Sequence, residues 1–90
     1  MESNIQGKII KYLKSLGGYV VKVTVANRTG IPDLLICLNG RFIGIEVKEG
    51  RNDVSRLQAY NLAEIQKSGG VAFAAWNLED VKRQLACLLD

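Results

Sequence analysis

Apolar positions recur at helical spacing over residues 2–16. Ile5, Ile9, Leu13 and Leu16 share one stripe, Ile10 and Tyr12 widen it, and Lys8, Lys11 and Lys14 fall on the opposite side. Gly17-Gly18 ends this helix. Residues 19–25 then alternate as a β-branched strand, with Val21, Val23 and Val25 on one face and Val20, Lys22 and Thr24 on the other. Two apolar runs, 33–38 and 41–48, flank Asn39-Gly40. Both turn residues tolerate the positive φ of a type I′ turn, so the pair predicts a β-hairpin. Pro32 stands where its missing N–H does no harm to a ladder. Ser55 opens a second helix with Gln58 at capping-box spacing and Leu57, Leu62 and Ile65 as its stripe; Gly69-Gly70 closes it. Residues 71–76 are nearly all apolar, as in a strand buried on both faces. Asn77 caps a last helix striped by Leu78, Val81, Leu85, Leu88 and Leu89. The order αβββαβα predicts an α/β fold over a single domain, 1–90. A mixed sheet flanked by helices suits it, with the hairpin antiparallel and the last strand parallel to a neighbour.

Polar residues break this pattern at specific places. With a two-residue turn, Leu38 lies opposite Arg41 and Asp33 falls opposite Glu46, in a non-hydrogen-bonded pair with Cβ atoms about 4.5–5.5 Å apart. Lys48 emerges on the same face as Glu46. Like charges across a ladder destabilise it. Either this face is solvated, with Lys48 pairing Glu46, or a cation sits between the carboxylates; Mg²⁺ commonly takes one or two carboxylates plus water and phosphate oxygens. Glu2 and Gln6 project within the apolar stripe of the first helix, so Glu2 is either a solvated terminal residue or an inward carboxylate in need of a partner. Gln58 falls inside the stripe of its helix, where it completes the cap or reaches a site between helix and sheet. Lys22 is either a surface lysine or one directed at the acidic face of the hairpin.

Composition narrows the chemistry. Ninety residues, 48% of them hydrophobic, form a modest core and bury about 60–65% of the unfolded surface, so dimerisation would help. The net charge is +3, and residues 1–30 carry five Lys/Arg against one acid, which suits a polyanionic partner. There is no histidine and only Cys37 and Cys87, which excludes a Cys/His zinc cluster and a histidine-based triad. No signal peptide or membrane-spanning run is present, so an intracellular, cytoplasmic location is expected.

Pro32-Asp33, followed after twelve residues by Glu46-Val47-Lys48, resembles the P-D…E-x-K signature of the restriction-endonuclease-like nucleases. Glu2-Ser-Asn-Ile-Gln6, Arg28-Thr-Gly-Ile-Pro-Asp33, the Ile45–Lys48 strand and Leu57-Gln58 are together similar to the VRR-NUC family, over nearly the whole chain. That family includes small standalone bacteriophage proteins and the nuclease domains of larger repair enzymes. The resemblance implies a Mg²⁺- or Mn²⁺-dependent DNA endonuclease. Asp33, Glu46 and the Val47 carbonyl would bind the metal, with Glu2 ligating directly or through water. Lys48 would orient or deprotonate the attacking water, and Gln58 would support the lysine or the phosphate. Lys22, Arg28, Arg51 and Arg56 are candidates for phosphate contacts. Small members of this type resemble Holliday-junction resolvases, which implies branched DNA as substrate and a homodimer. The alternative is a DNA-binding module that keeps the fold without cleavage.

Overall fold

A computed structural model of the chain describes residues 3–89. It contains α1 (Asn4–Ser15), β1 (Tyr19–Lys22), β2 (Leu34–Leu38), β3 (Arg41–Val47), α2 (Arg56–Lys67), β4 (Val71–Ala75) and α3 (Leu78–Leu89), the order read from the sequence. The four strands form one mixed sheet in the order β1-β2-β3-β4; β1, β2 and β3 are antiparallel, and β4 runs parallel to β3.

Five elements are shorter than their apolar patterns suggest: the hairpin strands lose Asp33 and Lys48 at their outer ends, and three others stop for a local reason. The first helix begins at Asn4 rather than Glu2, because Ser3 adopts an extended conformation and its hydroxyl accepts the Gln6 N–H at 3.0 Å. The first strand ends at Lys22. Val23 N–H still reaches the Asp33 carbonyl at 2.9 Å, but beyond it the partner strand gives way to Pro32, and Val25 is 88% exposed. The last strand stops at Ala75, since the Trp76 N–H is taken by the Asp80 carboxylate at 2.8 Å.

The hairpin turn is the two-residue type, with Asn39 at φ 53° and Gly40 at φ 76°. Leu38 pairs with Arg41 and Leu34 with Ile45. One face of the sheet, carrying Leu34, Ile36, Ile43 and Ile45, packs against Ile9 and Leu13 of α1 and Val81 and Leu85 of α3 to form the core. On the other face α2 lies over β3 and β4. Its close approach needs Gly44, where a Cβ would stand 2.9 Å from Ile65 Cδ1 and 3.2 Å from Pro32 Cγ.

Gly44→Val is therefore expected to lower stability by about 1–3 kcal/mol. Urea unfolding followed by circular dichroism measures it, and an unchanged midpoint would mean that α2 does not sit this tightly.

Candidate metal centre

Asp33 precedes β2 and Glu46 is the penultimate residue of β3. The pairing of Leu34 with Ile45 extends by one step to place them opposite each other, on the face turned away from the main core. Asp33 Oδ2 accepts the Val47 backbone N–H at 2.8 Å, which anchors the carboxylate across the strands. In the same register Val47 is opposite Pro32, the next position where ladder bonds would form. A proline offers no N–H, so the Val47 carbonyl has no ladder donor from that residue. The P-D pair thus frees one backbone oxygen and places one carboxylate at the same spot.

Glu46 is 4% exposed. Its Oε2 accepts from Gln58 Nε2 at 3.2 Å and lies 4.0 Å from Lys48 Nζ. Its Oε1 is buried with no protein partner. Burial, then the neighbouring Asp33 carboxylate, push the Glu46 carboxyl up to about 8, against the opposing pull of the Lys48 ammonium. A buried carboxylate held this far from its ordinary range, beside a second carboxylate, has the chemistry of a site made for a cation.

Gln58 performs both tasks open to it. Its Oε1 accepts the Ser55 N–H at 2.9 Å, while Ser55 Oγ accepts the Gln58 N–H at 3.1 Å, completing a capping box. Because a backbone N–H can only donate, this bond fixes which end of the amide is oxygen, and the NH₂ end faces Glu46. A mainly apolar stripe hid a second such residue. Asn61, 5% exposed and on the Gln58 side of α2, donates to the carbonyls of Thr29 (3.1 Å) and Leu57 (3.0 Å). It ties the loop leading into Pro32-Asp33 to α2. Its i+3 spacing from Gln58 is the sequence signal that could have found it.

The remaining candidates are placed as follows. Arg51 and Arg56 are exposed on either side of the Ser55 cap, and Arg28 is exposed on the loop that Asn61 holds. Lys22 pairs with Leu34, so it leaves the sheet on the α1 side and not on the carboxylate side, though at the same end. Glu2 lies outside the described residues. Among the described residues no cluster of three Asp, Glu, His or Cys side chains is present; two carboxylates and a backbone oxygen are what this site offers. That set, with an orphaned buried oxygen among it, fits a hard divalent cation that retains water or phosphate oxygens.

No family model matches the sequence and no curated protein does. Among solved structures, the chain is similar to a VRR_NUC domain at 27% identity and a TM-score of 0.74, covering 93% of this chain and 97% of that one. It is also similar in fold to Hjc of Archaeoglobus fulgidus, a Holliday junction resolvase from an archaeal hyperthermophile. That match has 19% identity and a TM-score of 0.63, covering 81% of this chain and 65% of the other.

The raised carboxyl predicts a pH dependence for the metal-free protein. Its folded form binds a proton that the unfolded chain releases nearer the ordinary glutamate value of 4.5. Stability from this group is full below that value and is lost as pH rises towards about 8. Urea midpoints in EDTA should fall between pH 5 and pH 9, and Glu46→Gln should flatten that slope. A midpoint that rises over the interval would contradict the burial of Glu46.

Proposed function

We propose that the chain is a member of the VRR-NUC group of restriction-endonuclease-like nucleases, to whose solved domain it is similar, and that it is a divalent-metal-dependent endonuclease hydrolysing DNA phosphodiester bonds. The single observation that carries this reading is the buried Glu46 carboxylate facing Asp33, with Lys48 beside it. A module that only bound DNA would gain nothing from opposed carboxylates, which repel both each other and phosphate.

In this reading Asp33, Glu46 and the Val47 carbonyl hold Mg²⁺ or Mn²⁺, and Glu2 completes the set directly or through water. When bound, the ion supplies the positive charge that polarises the phosphodiester and acidifies water. The chain's own groups do the rest. Lys48, its side chain 15% exposed, presents Nζ at the mouth of the site. There it orients the attacking water and offsets charge growing on the phosphate. Gln58 holds Glu46 in place so that Oε1 stays free. Arg28, Arg51, Arg56 and Lys22 ring this end of the sheet and take the backbone phosphates. Because Hjc is a Holliday junction resolvase, branched DNA is the proposed substrate class. Both cysteines are exposed and free, which suits a reducing cytoplasm. No helix among the described residues is long and apolar enough to cross a membrane.

A homodimer belongs to the same reading. Over β1 and β2 the sheet face beyond α2 is bare. Tyr19 (73% exposed), Val21 (40%) and Phe42 (48%) surround Leu35 and Cys37, with no charged side chain among them. Antiparallel sheets normally present polar residues on a solvated face. A shallow apolar depression of this kind suits pairing with its own copy. Phe42→Glu is expected to shift the chain from dimer to monomer in sedimentation velocity at micromolar concentration; a parent that already sediments as a monomer would remove the dimer.

Cleavage is tested with four-way, forked and linear DNA, with Mg²⁺, Mn²⁺ or EDTA. Cutting should require the metal, favour branched substrates, and fall on the order of a hundredfold or more in Glu46→Gln and Lys48→Met. The thermal midpoint of the parent should also rise on adding Mn²⁺ alone, and Glu46→Gln should abolish the rise. Binding without cleavage under every metal would establish the non-catalytic alternative instead.

A further inference from the structure

Trp76 is the sole tryptophan of the chain and the first residue past β4. The parallel ladder continues one bond beyond the strands, Lys48 N–H donating to the Ala75 carbonyl at 2.9 Å. Since Glu46 is opposite Ala74 and Val47 opposite Ala75, Lys48 and Trp76 fall side by side. By alternation both emerge on the face that carries Glu46. Adjacent strands are about 4.8 Å apart, so the indole stands one strand away from the lysine. Asp33 and Glu46, and two residues further along Lys48 and Trp76, thus line one face at the ends of three neighbouring strands.

The ring is held rigidly. Its Nε1–H donates to the Asn52 carbonyl at 2.8 Å, in the loop that carries Arg51. Its backbone N–H is fixed by Asp80, which Arg83 pairs in turn. The indole is partly buried and keeps some surface open, and it belongs neither to the hydrophobic core nor to the side chains packed against it. The largest aromatic side chain of the protein is therefore used at the rim of the candidate site, with its only polar atom already satisfied.

We infer that Trp76 is a substrate-binding residue whose ring stacks on an unpaired nucleobase of the strand held at the carboxylates. The inference rests on the nuclease reading and names the feature of DNA that the site selects. Every base has a π face, so such stacking is tolerant of sequence, but a base within a continuous duplex has both faces covered. A strand end, flap or branch point exposes one. A rigid indole beside the phosphate-facing lysine would then favour DNA containing unpaired bases over uninterrupted duplex.

Excited at the red edge, where the three tyrosines do not absorb, emission from the parent protein reports Trp76 alone. In EDTA, where no strand is cut, a forked duplex with a single-stranded arm should quench it, and a blunt duplex of equal length should not. By anisotropy of labelled DNA, Trp76→Leu should bind the fork about 5- to 150-fold more weakly, with blunt-duplex affinity and the salt slope unchanged. Trp76→Phe keeps a stackable ring and loses the bond to Asn52, so it should retain most of the fork affinity. Circular dichroism melts check that both variants fold. The inference is overturned if the fork leaves emission unchanged, if Trp76→Leu binds it as the parent does, or if Trp76→Phe loses as much as Trp76→Leu, which would make the residue a loop tether. A parent that binds both DNAs but is indifferent to Trp76 leaves the nuclease reading standing, whereas a parent that binds neither, in EDTA or with Ca²⁺ in its place, removes both.

Discussion

The structure is organised by the cost of keeping the Glu46 carboxylate out of water opposite a second carboxylate. Nothing in a two-stranded ladder favours that arrangement, and the surrounding chain supplies compensation for only part of it. Gln58 donates to one oxygen, Lys48 stands 4.0 Å from the same oxygen, and the other oxygen has no protein partner. The groups that do most to create this conflict are the turn and the proline. Asn39-Gly40 sets a register that cannot be slipped by one residue without turning Ile43 and Ile45 out of the core. Pro32 then removes a ladder donor where the carboxylates meet, and Asp33, in place of a backbone carbonyl, accepts the Val47 N–H.

The second helix meets the same demand from the other side. Gln58 is shared between capping α2 and holding Glu46, which links the position of the helix start to the position of the carboxylate. Asn61, one turn further on, links the helix to the loop that delivers Pro32-Asp33. Two amides on one helix stripe therefore brace both carboxylates through short paths, and Gly44 lets the helix come close enough for them to do so. This explains why α2 combines a half-exposed Leu57 with a buried Asn61: its inner stripe is shaped by the site as much as by the core.

Much of this was legible in the residues because it depends on local rules. Helical spacing, the Asn-Gly turn and the Ser55–Gln58 cap specify elements and register without knowledge of the tertiary fold, and they sufficed to bring Asp33 and Glu46 together. Element ends were less legible. The N-terminal cap at Ser3, the loss of β1 beyond Lys22 and the early end of β4 each depend on one competing hydrogen bond or one missing donor. The side from which Lys22 leaves the sheet follows from a pairing partner 12 residues away, and alternation within its own strand cannot supply it. Asn61 and Trp76 were not legible for a related reason: Asn61 looks like a solvated polar residue and Trp76 like an ordinary member of an apolar strand until the neighbouring element is in place.

Why the chain tolerates such a site follows from how little of its stability it engages. The buried residues of α1, α3 and the inner sheet face form a core that does not involve Asp33, Glu46 or Lys48. The carboxylates sit at the strand ends, where removing a ladder bond costs least and water or phosphate can still enter. In the absence of a cation the conflict is relieved by a proton on Glu46, whose carboxyl is pushed up to about 8. A divalent ion would displace that proton and reverse the sign of the repulsion between the two carboxylates. The same pair would then stabilise the loaded protein, so that metal affinity would be coupled to the local cost of this one interaction, and a substitution that relaxes the repulsion would weaken the hold on the ion.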